Sequence, residues 1–191
     1  MTRKKDIKGR FQLVLIASVF FGPLILAAWL YFSGAGLQPA GRTNHGELLQ
    51  PLTSIRDTLP DSAINEHLGG FWLLIYSNNG VCDPVCENAL YILRQSRLML
   101  GKDMERLARV FLHGDTPPDT VFLADEHAGL ITLRDSSFSV LLKNKKPAEL
   151  SAGGYFLVDP LGNLVMYFQP DIDPGDMVED IEHLLELSRI G

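Results

Sequence analysis

The stretch FWLLIYSNNGVCDPVC, residues 71–86, decides the fold of this chain. Its first part, residues 71–76, is a continuous apolar run, which is typical of a central strand buried on both faces. The polar turn cluster at residues 77–80 ends this strand. The Asp-Pro pair at residues 83–84 resembles the N-cap and first-turn proline of a helix that continues to about Gly101. The pattern therefore predicts a buried strand that leads directly into a helix, with two cysteines where they meet.

The remaining apolar runs supply further strands and helices. Residues 107–112 fit a second strand, and residues 155–168 predict a hairpin around an Asp-Pro-Leu-Gly-Asn turn. An amphipathic helix at residues 176–190 closes the chain. Weaker signals predict a strand at residues 47–52 and a short helix at residues 62–68, and they leave residues 116–133 open between helix and loop. This order predicts an α/β thioredoxin-like fold, a central mixed sheet flanked by helices.

Apolar stripes on the two long helices predict which of their residues enter the core. Both stripes follow helical spacing, at which every third or fourth residue returns to one face. The first stripe is Ala89, Leu90, Leu93, Leu98 and Leu100, and the second is Met177, Ile181, Leu184, Leu185 and Leu187 or Ser188.

An apolar segment precedes this domain. Residues 11–32 contain no ionisable side chain except Tyr31, and as a helix they span about 33 Å, enough for the hydrocarbon core of a bilayer. Five of the first ten residues are Lys or Arg and one is Asp, so this tail stays cytoplasmic. We expect a bacterial inner-membrane protein with a cytoplasmic tail (1–10), a single transmembrane helix (11–32), a linker (33–45) and a periplasmic thioredoxin-like domain (46–191).

Two other interpretations are weaker. The small residues at 33–35 also fit the end of a cleaved signal peptide, but the apolar run is longer than the 7–15 residues of such segments. After the first ten residues the chain has 12 basic and 22 acidic side chains. This acidic balance disfavours binding to a phosphate backbone, so we expect no nucleic-acid partner.

Cys82 and Cys86 are the two cysteines of the chain. A four-residue spacing on a helix brings both side chains to one face, about 5–6 Å apart between Cβ atoms. The pair can therefore form a disulfide or hold one soft metal ion. The helix N-terminus favours the thiolate form, while Asp83 and Glu87 oppose it. We predict that Cys82 is the more exposed and more nucleophilic sulfur. A purely structural disulfide is the alternative, although so short a loop removes little chain entropy.

With these elements in place, the chain resembles the Sco/SenC family of thioredoxin-fold proteins. Residues 70–76 look like the family's strand leading to its C-x-x-x-C pair. Residues 111–117 are similar to its strand followed by an acidic, proline-containing loop, and residues 155–168 look like its hairpin. Members are anchored by one helix and serve copper-site assembly in cytochrome c oxidase. The resemblance implies that Cys82 and Cys86 act on the copper-binding subunit of a respiratory oxidase.

One part of the family pattern is missing. The family's copper site adds a histidine from the loop before the hairpin, and here that loop, residues 150–154, contains none. His113, at the predicted end of the second strand, is a weak candidate for a third copper ligand, although a solvated turn histidine is the simpler interpretation. We expect His127, beside Asp125 and Glu126, at the surface. The other histidines are expected to be structural or exposed: His45, His67 and His183.

Three functions follow from these observations. In the first, Cys82 attacks a disulfide of the oxidase subunit, or of another periplasmic thiol protein, and Cys86 resolves the mixed disulfide. In the second, the chain is a metallochaperone whose reduced cysteine pair carries copper(I). Copper is the candidate metal, and the sequence establishes no cofactor. In the third, the chain is a non-catalytic assembly scaffold with a structural disulfide. Residues 11–32 bind the lipid bilayer in all three.

Overall fold

The structure is a computed structural model that describes residues 3–32, 44–116, 118–147 and 153–188. It divides into two units after Thr43. The first contains helix α1 (Arg3–Phe32), with Pro23 inside it. The part Gly9–Leu30 is long and apolar enough to cross a membrane. The predicted linker falls largely on residues 33–43, outside the described residues.

The second unit alternates strands and helices. Its elements are β1 (Glu47–Ser54), α2 (Ile55–Thr58), a 3-10 helix (Ala63–His67), β2 (Trp72–Asn78), α3 (Pro84–Met99), a second 3-10 helix (Gly101–Arg106), β3 (Leu107–His113), α4 (Thr120–Glu126), β4 (Ile131–Arg134), α5 (Ser136–Lys145), β5 (Tyr155–Val158), β6 (Asn163–Phe168) and α6 (Pro174–Leu187).

Within the described part of the chain, six strands form one mixed sheet in the order β1-β6-β5-β2-β3-β4. Strands β2, β3 and β4 are parallel to one another. Strand β5 joins β2 antiparallel, and β6 and β1 continue the sheet in the same alternating way. The thioredoxin-like fold predicted from the sequence is thus confirmed, with β2 near the centre of the sheet.

Two apolar layers cover the faces of the sheet. Trp72, Leu74 and Tyr76 of β2 pack in the layer beneath α3 and α6. Leu73 and Ile75 point the other way, into the layer that α5 and the first 3-10 helix cover. All five side chains are buried, as expected for a strand with helices on both sides.

Hydrogen bonds fix the start of this unit onto its last helix. The backbone N–H groups of His45 and Gly46 donate to the Asp180 carboxylate, at 3.2 and 2.7 Å. Asp180 is buried, so these charge-assisted bonds satisfy a carboxylate that is costly to bury alone. The first described residues after the linker are therefore held against α6.

Several predicted boundaries change in the structure. The hairpin and the strand at Leu107 form as predicted, and the open region 116–133 contains both α4 and β4. Helix α6 begins earlier than predicted, at Pro174, because Asp173 caps it and accepts the Gly175 N–H at 2.7 Å. Helix α5 was not predicted from the sequence.

Two residues of the predicted apolar stripes are exposed. Leu98 is 52% exposed and Leu187 is 71% exposed. Leu98 follows Leu93 by five residues, a turn of about 500°, which leaves it about 140° away from that side chain around the helix. Leu187 follows Leu185 by two residues, or about 200°, and so lies on the opposite face. These two predictions were wrong for the same geometric reason.

Candidate functional site

Helix α3 begins where the sequence predicts it. Asp83 is its N-cap, and its side chain accepts the backbone N–H of Cys86 at 3.0 Å, while Pro84 occupies the first turn. Cys82 and Cys86 are joined by a disulfide, with their Cα atoms 5.0 Å apart. The capped helix start therefore holds the two sulfurs together at the carboxyl end of β2.

The two cysteines differ in burial. Cys86 is 1% exposed and belongs to the core beneath α3. Cys82 is only partly buried. Beside them, Val81 and Val85 are 69% and 72% exposed. Cys82 is accordingly the more exposed of the two cysteines, as predicted from the sequence.

An aromatic cluster lies beneath the start of α3 and consists of Tyr76, Phe111 and Tyr155. The rings of Tyr76 and Phe111 stack with centroids 6.0 Å apart, and those of Tyr76 and Tyr155 lie 5.7 Å apart. Burial, and then the negative charge of Asp83, raise the pKa of the Tyr76 hydroxyl. The hydroxyls of Tyr76 and Tyr155 therefore stay protonated at neutral pH, since burial raises the pKa of Tyr155 as well. The aromatic cluster therefore carries no charge at neutral pH.

A groove of about 730 Å³ runs past the disulfide loop. One wall is the end of β2 and the turn that follows it, residues 77–81, with Asp83 and Val85. Lys143 of α5 and the Gly153-Gly154 pair form part of the other wall. Apolar, anionic and cationic side chains line the groove, among them Val85, Asp83 and Lys143, and its lining includes both chain neighbours of Cys82.

Gly154 shapes the groove by close packing. Its φ is +101°, and a Cβ there would lie 2.5 Å from the carbonyl oxygen of Phe168 and from the Tyr167 hydroxyl. The Tyr167 hydroxyl donates to the Gly153 carbonyl at 2.8 Å. Burial, and then the charge of Asp171, raise the pKa of Tyr167 to about 12, so this donor keeps its proton. The sequence analysis missed this pair, although two adjacent glycines before a strand are a signal for left-handed backbone.

His113 lies at the carboxyl end of β3, the same end of the parallel strands as the Cys82–Cys86 disulfide. It is opposite Asn78 in the parallel register, and its ring lies 6.0 Å from that of Phe111. Its Nδ1 is 2.8 Å from the Gly114 carbonyl oxygen; because a carbonyl only accepts, Nδ1 carries the hydrogen and Nε2 is left as the basic nitrogen. Within the described residues, however, no three His, Cys, Asp or Glu side chains come together as a metal site.

Two family models match the chain. Residues 4–34 match a transmembrane-like N-terminal domain, and residues 72–188 match a transmembrane-like, thioredoxin-like C-terminal domain. The chain belongs to this transmembrane-like, thioredoxin-like family. The family description names both parts of the architecture, the apolar N-terminal helix and the thioredoxin-like domain.

Solved structures share the fold of this family member. Apo Sco1 from Thermus thermophilus is 19% identical, with a TM-score of 0.54 over 76% of this chain and 99% of that one. Yeast Sco1 is 22% identical, with a TM-score of 0.52 over 66% and 86%. Yeast Sco1 with copper bound is 21% identical, with a TM-score of 0.51 over 64% and 80%. The resemblance to Sco proteins is thus confirmed in the fold. The comparison with curated proteins gave no match.

His127 contradicts the expectation of a surface position. It is 3% exposed and follows α4, where its ring packs edge-on against Phe122 with centroids 5.0 Å apart. Burial first, and then the positive charges of Arg94 and Arg109, lower its pKa, and Glu126 opposes them. The prediction was wrong because helix α4 was not predicted. Phe122 of this helix packs against the core, and His127, at the end of the helix, packs against Phe122 and is buried with it.

The other histidines lie away from the disulfide loop. His45 faces two carboxylates of α6, with its nitrogens 3.6 Å from Asp176 and 3.5 Å from Glu179. His183 is exposed on the same helix, and His67 is partly buried at the end of the first 3-10 helix. These positions agree with the structural or exposed roles expected for them.

Proposed function

We propose that this chain is a membrane-anchored thiol–disulfide exchange protein that acts in the assembly of the copper site of a respiratory cytochrome c oxidase. The observation that carries the proposal is the Cys82–Cys86 disulfide at the start of α3, with Cys82 accessible and Cys86 buried. This is the asymmetry that an attacking and a resolving cysteine need. The thioredoxin-like fold and its likeness to Sco proteins support the same role.

The reaction proceeds through one mixed disulfide. In the reduced protein the Cys82 thiolate attacks a disulfide of the oxidase subunit, forms an S–S bond to one of its sulfurs and releases the other as a thiolate. The Cys86 thiolate then attacks the Cys82 sulfur and releases the second thiolate of the partner. The partner gains two electrons and becomes a dithiol able to take copper, and this chain ends with the Cys82–Cys86 disulfide. Another periplasmic dithiol protein reduces it again.

The proposal assigns the exchange to the periplasm. Residues 1–10 stay cytoplasmic, residues 11–32 cross the inner membrane once, residues 33–45 form the linker, and residues 46–191 face the periplasm. The basic tail and the apolar helix support this orientation through the positive-inside rule. Disulfides persist in that compartment.

A trapping experiment tests the exchange. The full chain in a neutral detergent is reduced and mixed with the oxidised copper-binding domain of the oxidase subunit. Cys86→Ser is expected to accumulate a mixed disulfide, because it attacks and cannot resolve, whereas Cys82→Ser is expected to give none. Equal trapping by the two variants would contradict the assigned roles. A Cys82–Cys86 potential too low for any periplasmic dithiol to reduce would contradict a catalytic cycle.

Copper(I) carriage is the second candidate function. The close pair of sulfurs favours it, since two thiolates are soft donors that suit copper(I) as a cargo. A copper(I) titration of the reduced full chain against a coloured chelator tests it, with the Cys82→Ser, Cys86→Ser double variant as control. One-to-one, cysteine-dependent binding would establish copper carriage, and a further loss in His113→Ala would make His113 a third ligand. Without competition for copper(I), this second function is excluded.

The scaffold alternative makes a separate prediction. If the disulfide is only structural, the Cys82→Ser, Cys86→Ser double variant still supports oxidase assembly in cells at normal protein levels. Under the proposed exchange function, that variant does not support oxidase assembly. Assembly is restored by the wild-type chain, or by a thiol reductant that reduces the disulfide of the oxidase subunit directly.

A further inference from the structure

A second pocket lies at the other end of the sheet from the cysteines. It has a volume of about 360 Å³. The backbone before β2 and at the starts of β3 and β4 borders it, at Gly69, Leu107 and Ile131, and the side chains of Arg97 and Arg109 line it. Because β2, β3 and β4 are parallel, this pocket lies at their amino ends, whereas the disulfide loop follows the carboxyl end of β2.

Arg109 has an unusual environment in this pocket. It is 5% exposed, and its Nη2 donates to the Ala128 carbonyl at 2.7 Å. Its other two guanidinium nitrogens, Nε and Nη1, are buried and have no hydrogen-bond partner among the described residues. A buried guanidinium usually meets a carboxylate, because an unpaired charge is costly to remove from water. Among the described residues, the hydrogen-bond partner of the Arg109 guanidinium is one neutral carbonyl, that of Ala128.

The nearest charges increase this imbalance. Burial lowers the pKa of Arg109, and the positive charges of Arg97 and Arg94 lower it further. Arg94 pairs with Glu126 at 3.1 Å, and Arg97 pairs with Glu105 at 3.2 Å. Both carboxylates are largely exposed, so solvent screens them. Buried His127 is close to this group, and its Nδ1 also has no partner among the described residues.

We propose that this pocket binds the oxyanion of a small soluble molecule, a phosphate or a carboxylate group, with Arg109 and Arg97 as the donors. Guanidinium groups match both oxyanions with paired N–H donors in one plane. The pocket is larger than the oxyanion alone and leaves room for a small organic group, within the usual size range of ligand sites. Glu66 and Glu105 also line it and limit the ligand's charge. The site is independent of the proposed exchange at Cys82.

Ligand-dependent stability tests the site. The full chain in a neutral, phosphate-free detergent is unfolded thermally while inorganic phosphate or acetate is exchanged for chloride at constant ionic strength. A ligand that binds the folded state raises the unfolding temperature with concentration. Arg109→Met is expected to remove this dependence. Arg134→Gln, a change at an exposed arginine paired with Asp115 at the other end of the sheet, is expected to leave it unchanged.

Glu105→Gln provides a second variant that does not disturb the core. Its side chain is 76% exposed, so the variant folds, and removing this carboxylate is expected to tighten phosphate or acetate binding about two- to fivefold. Stabilisation by phosphate alone, or by acetate alone, identifies the oxyanion class. The proposal fails if neither anion stabilises the wild-type chain, if Arg109→Met responds like wild type, or if Glu105→Gln leaves the affinity unchanged.

Discussion

The two ends of the parallel strands β2, β3 and β4 carry opposite kinds of polar group. At the carboxyl end, Cys82 is accessible, its partner sulfur is bonded and Asp83 is satisfied by the helix it caps. At the amino end, Arg109 is buried with two nitrogens that the described protein leaves unpaired. The carboxyl end thus exposes one cysteine of a disulfide, whereas the amino end buries a positive charge.

An exposed side chain and an unpaired buried polar group are therefore two separate signs of a functional site. A helix start with two cysteines needs only local geometry, because five consecutive residues, Cys82 to Cys86, form it. A buried arginine becomes informative only when every group around it is known, since one carboxylate from any element would have made it an ordinary ion pair. Four predictions separate the two ends, beginning with the largest effect.

Replacing the accessible sulfur should have the largest effect. Cys82→Ser is expected to reduce disulfide exchange with a dithiol or disulfide partner to the rate of the uncatalysed reaction, because serine does not form a mixed disulfide. The fold is expected to remain, since Cys82 is only partly buried. Stopped-flow exchange with the oxidase subunit measures the rate, and anion-dependent unfolding should match that of the wild-type chain. A shared loss of both properties would contradict the independence of the two ends.

Backbone packing at the two ends should differ next. Gly154→Ala forces a Cβ against Phe168 and Tyr167 in a left-handed conformation, so we expect a loss of about 2–4 kcal/mol in the free energy of unfolding. Gly101→Ala is the matched control, because Gly101 also has a positive φ, +54°, but nothing lies within 4 Å of its Cβ position. It should cost about 1–2 kcal/mol. Urea unfolding measures both, and equal losses would show that Gly154 is not tightly packed.

The amino end should respond to pH through His127. Burial and the nearby arginines lower the pKa of folded His127 below its ordinary value of 6.5, so the unfolded chain binds more protons just below pH 6.5. The contribution of His127 to stability therefore decreases as the pH falls from about 6.5 toward the folded pKa, and it levels off below that pKa.

Thermal unfolding in chloride buffers between pH 5 and pH 8 measures this response. His127→Phe, which keeps a ring beside Phe122, should have a shallower dependence on pH than the wild-type chain. A variant that loses stability on acidification as steeply as wild type would show that other groups are responsible.

The smallest effect concerns the charge beside the cysteines. Asp83→Asn keeps a side-chain oxygen that can accept the Cys86 N–H, so the helix cap remains. It removes a negative charge near the sulfurs, and we expect the reduced variant to be alkylated at Cys82 about two- to fivefold faster at neutral pH. The control is Glu87→Gln, which changes an exposed side chain in the first turn of α3 and is expected to alter the alkylation rate less. A slower rate in Asp83→Asn would contradict the assumed charge effect.

Much of the fold was predictable because its signals are local. The apolar run that became β2, the Asp83 cap, the Asp-Pro turn of the hairpin and the last helix each follow from a few neighbouring residues. Helix α5 was missed because its inward side rests on few large apolar residues, mainly Phe138 and Leu142, and on a cap from Asp135. Strand β4 has four residues, too few for a period to show.

The cysteine pair of the candidate site was predictable from the sequence, and the groove beside it was not. The spacing of Cys82 and Cys86 across the predicted helix start indicated that the two sulfurs lie close together, before any tertiary contact was known. Which sulfur is buried depends on packing under α3, although the order along the helix already favoured Cys82 as the exposed one. The groove beside it could not be predicted, since α5 and the Gly153-Gly154 pair reach it from distant parts of the chain.

The apolar N-terminal helix, the strand-to-helix junction and the cysteine pair follow from the sequence alone, because each depends on the order and spacing of adjacent residues. Three properties depended on tertiary packing: His127 is buried, Gly154 packs against Tyr167, and two guanidinium nitrogens of Arg109 have no partner among the described residues. Burial and pairing are sums over neighbours from several elements, so they are defined only once those elements have packed together.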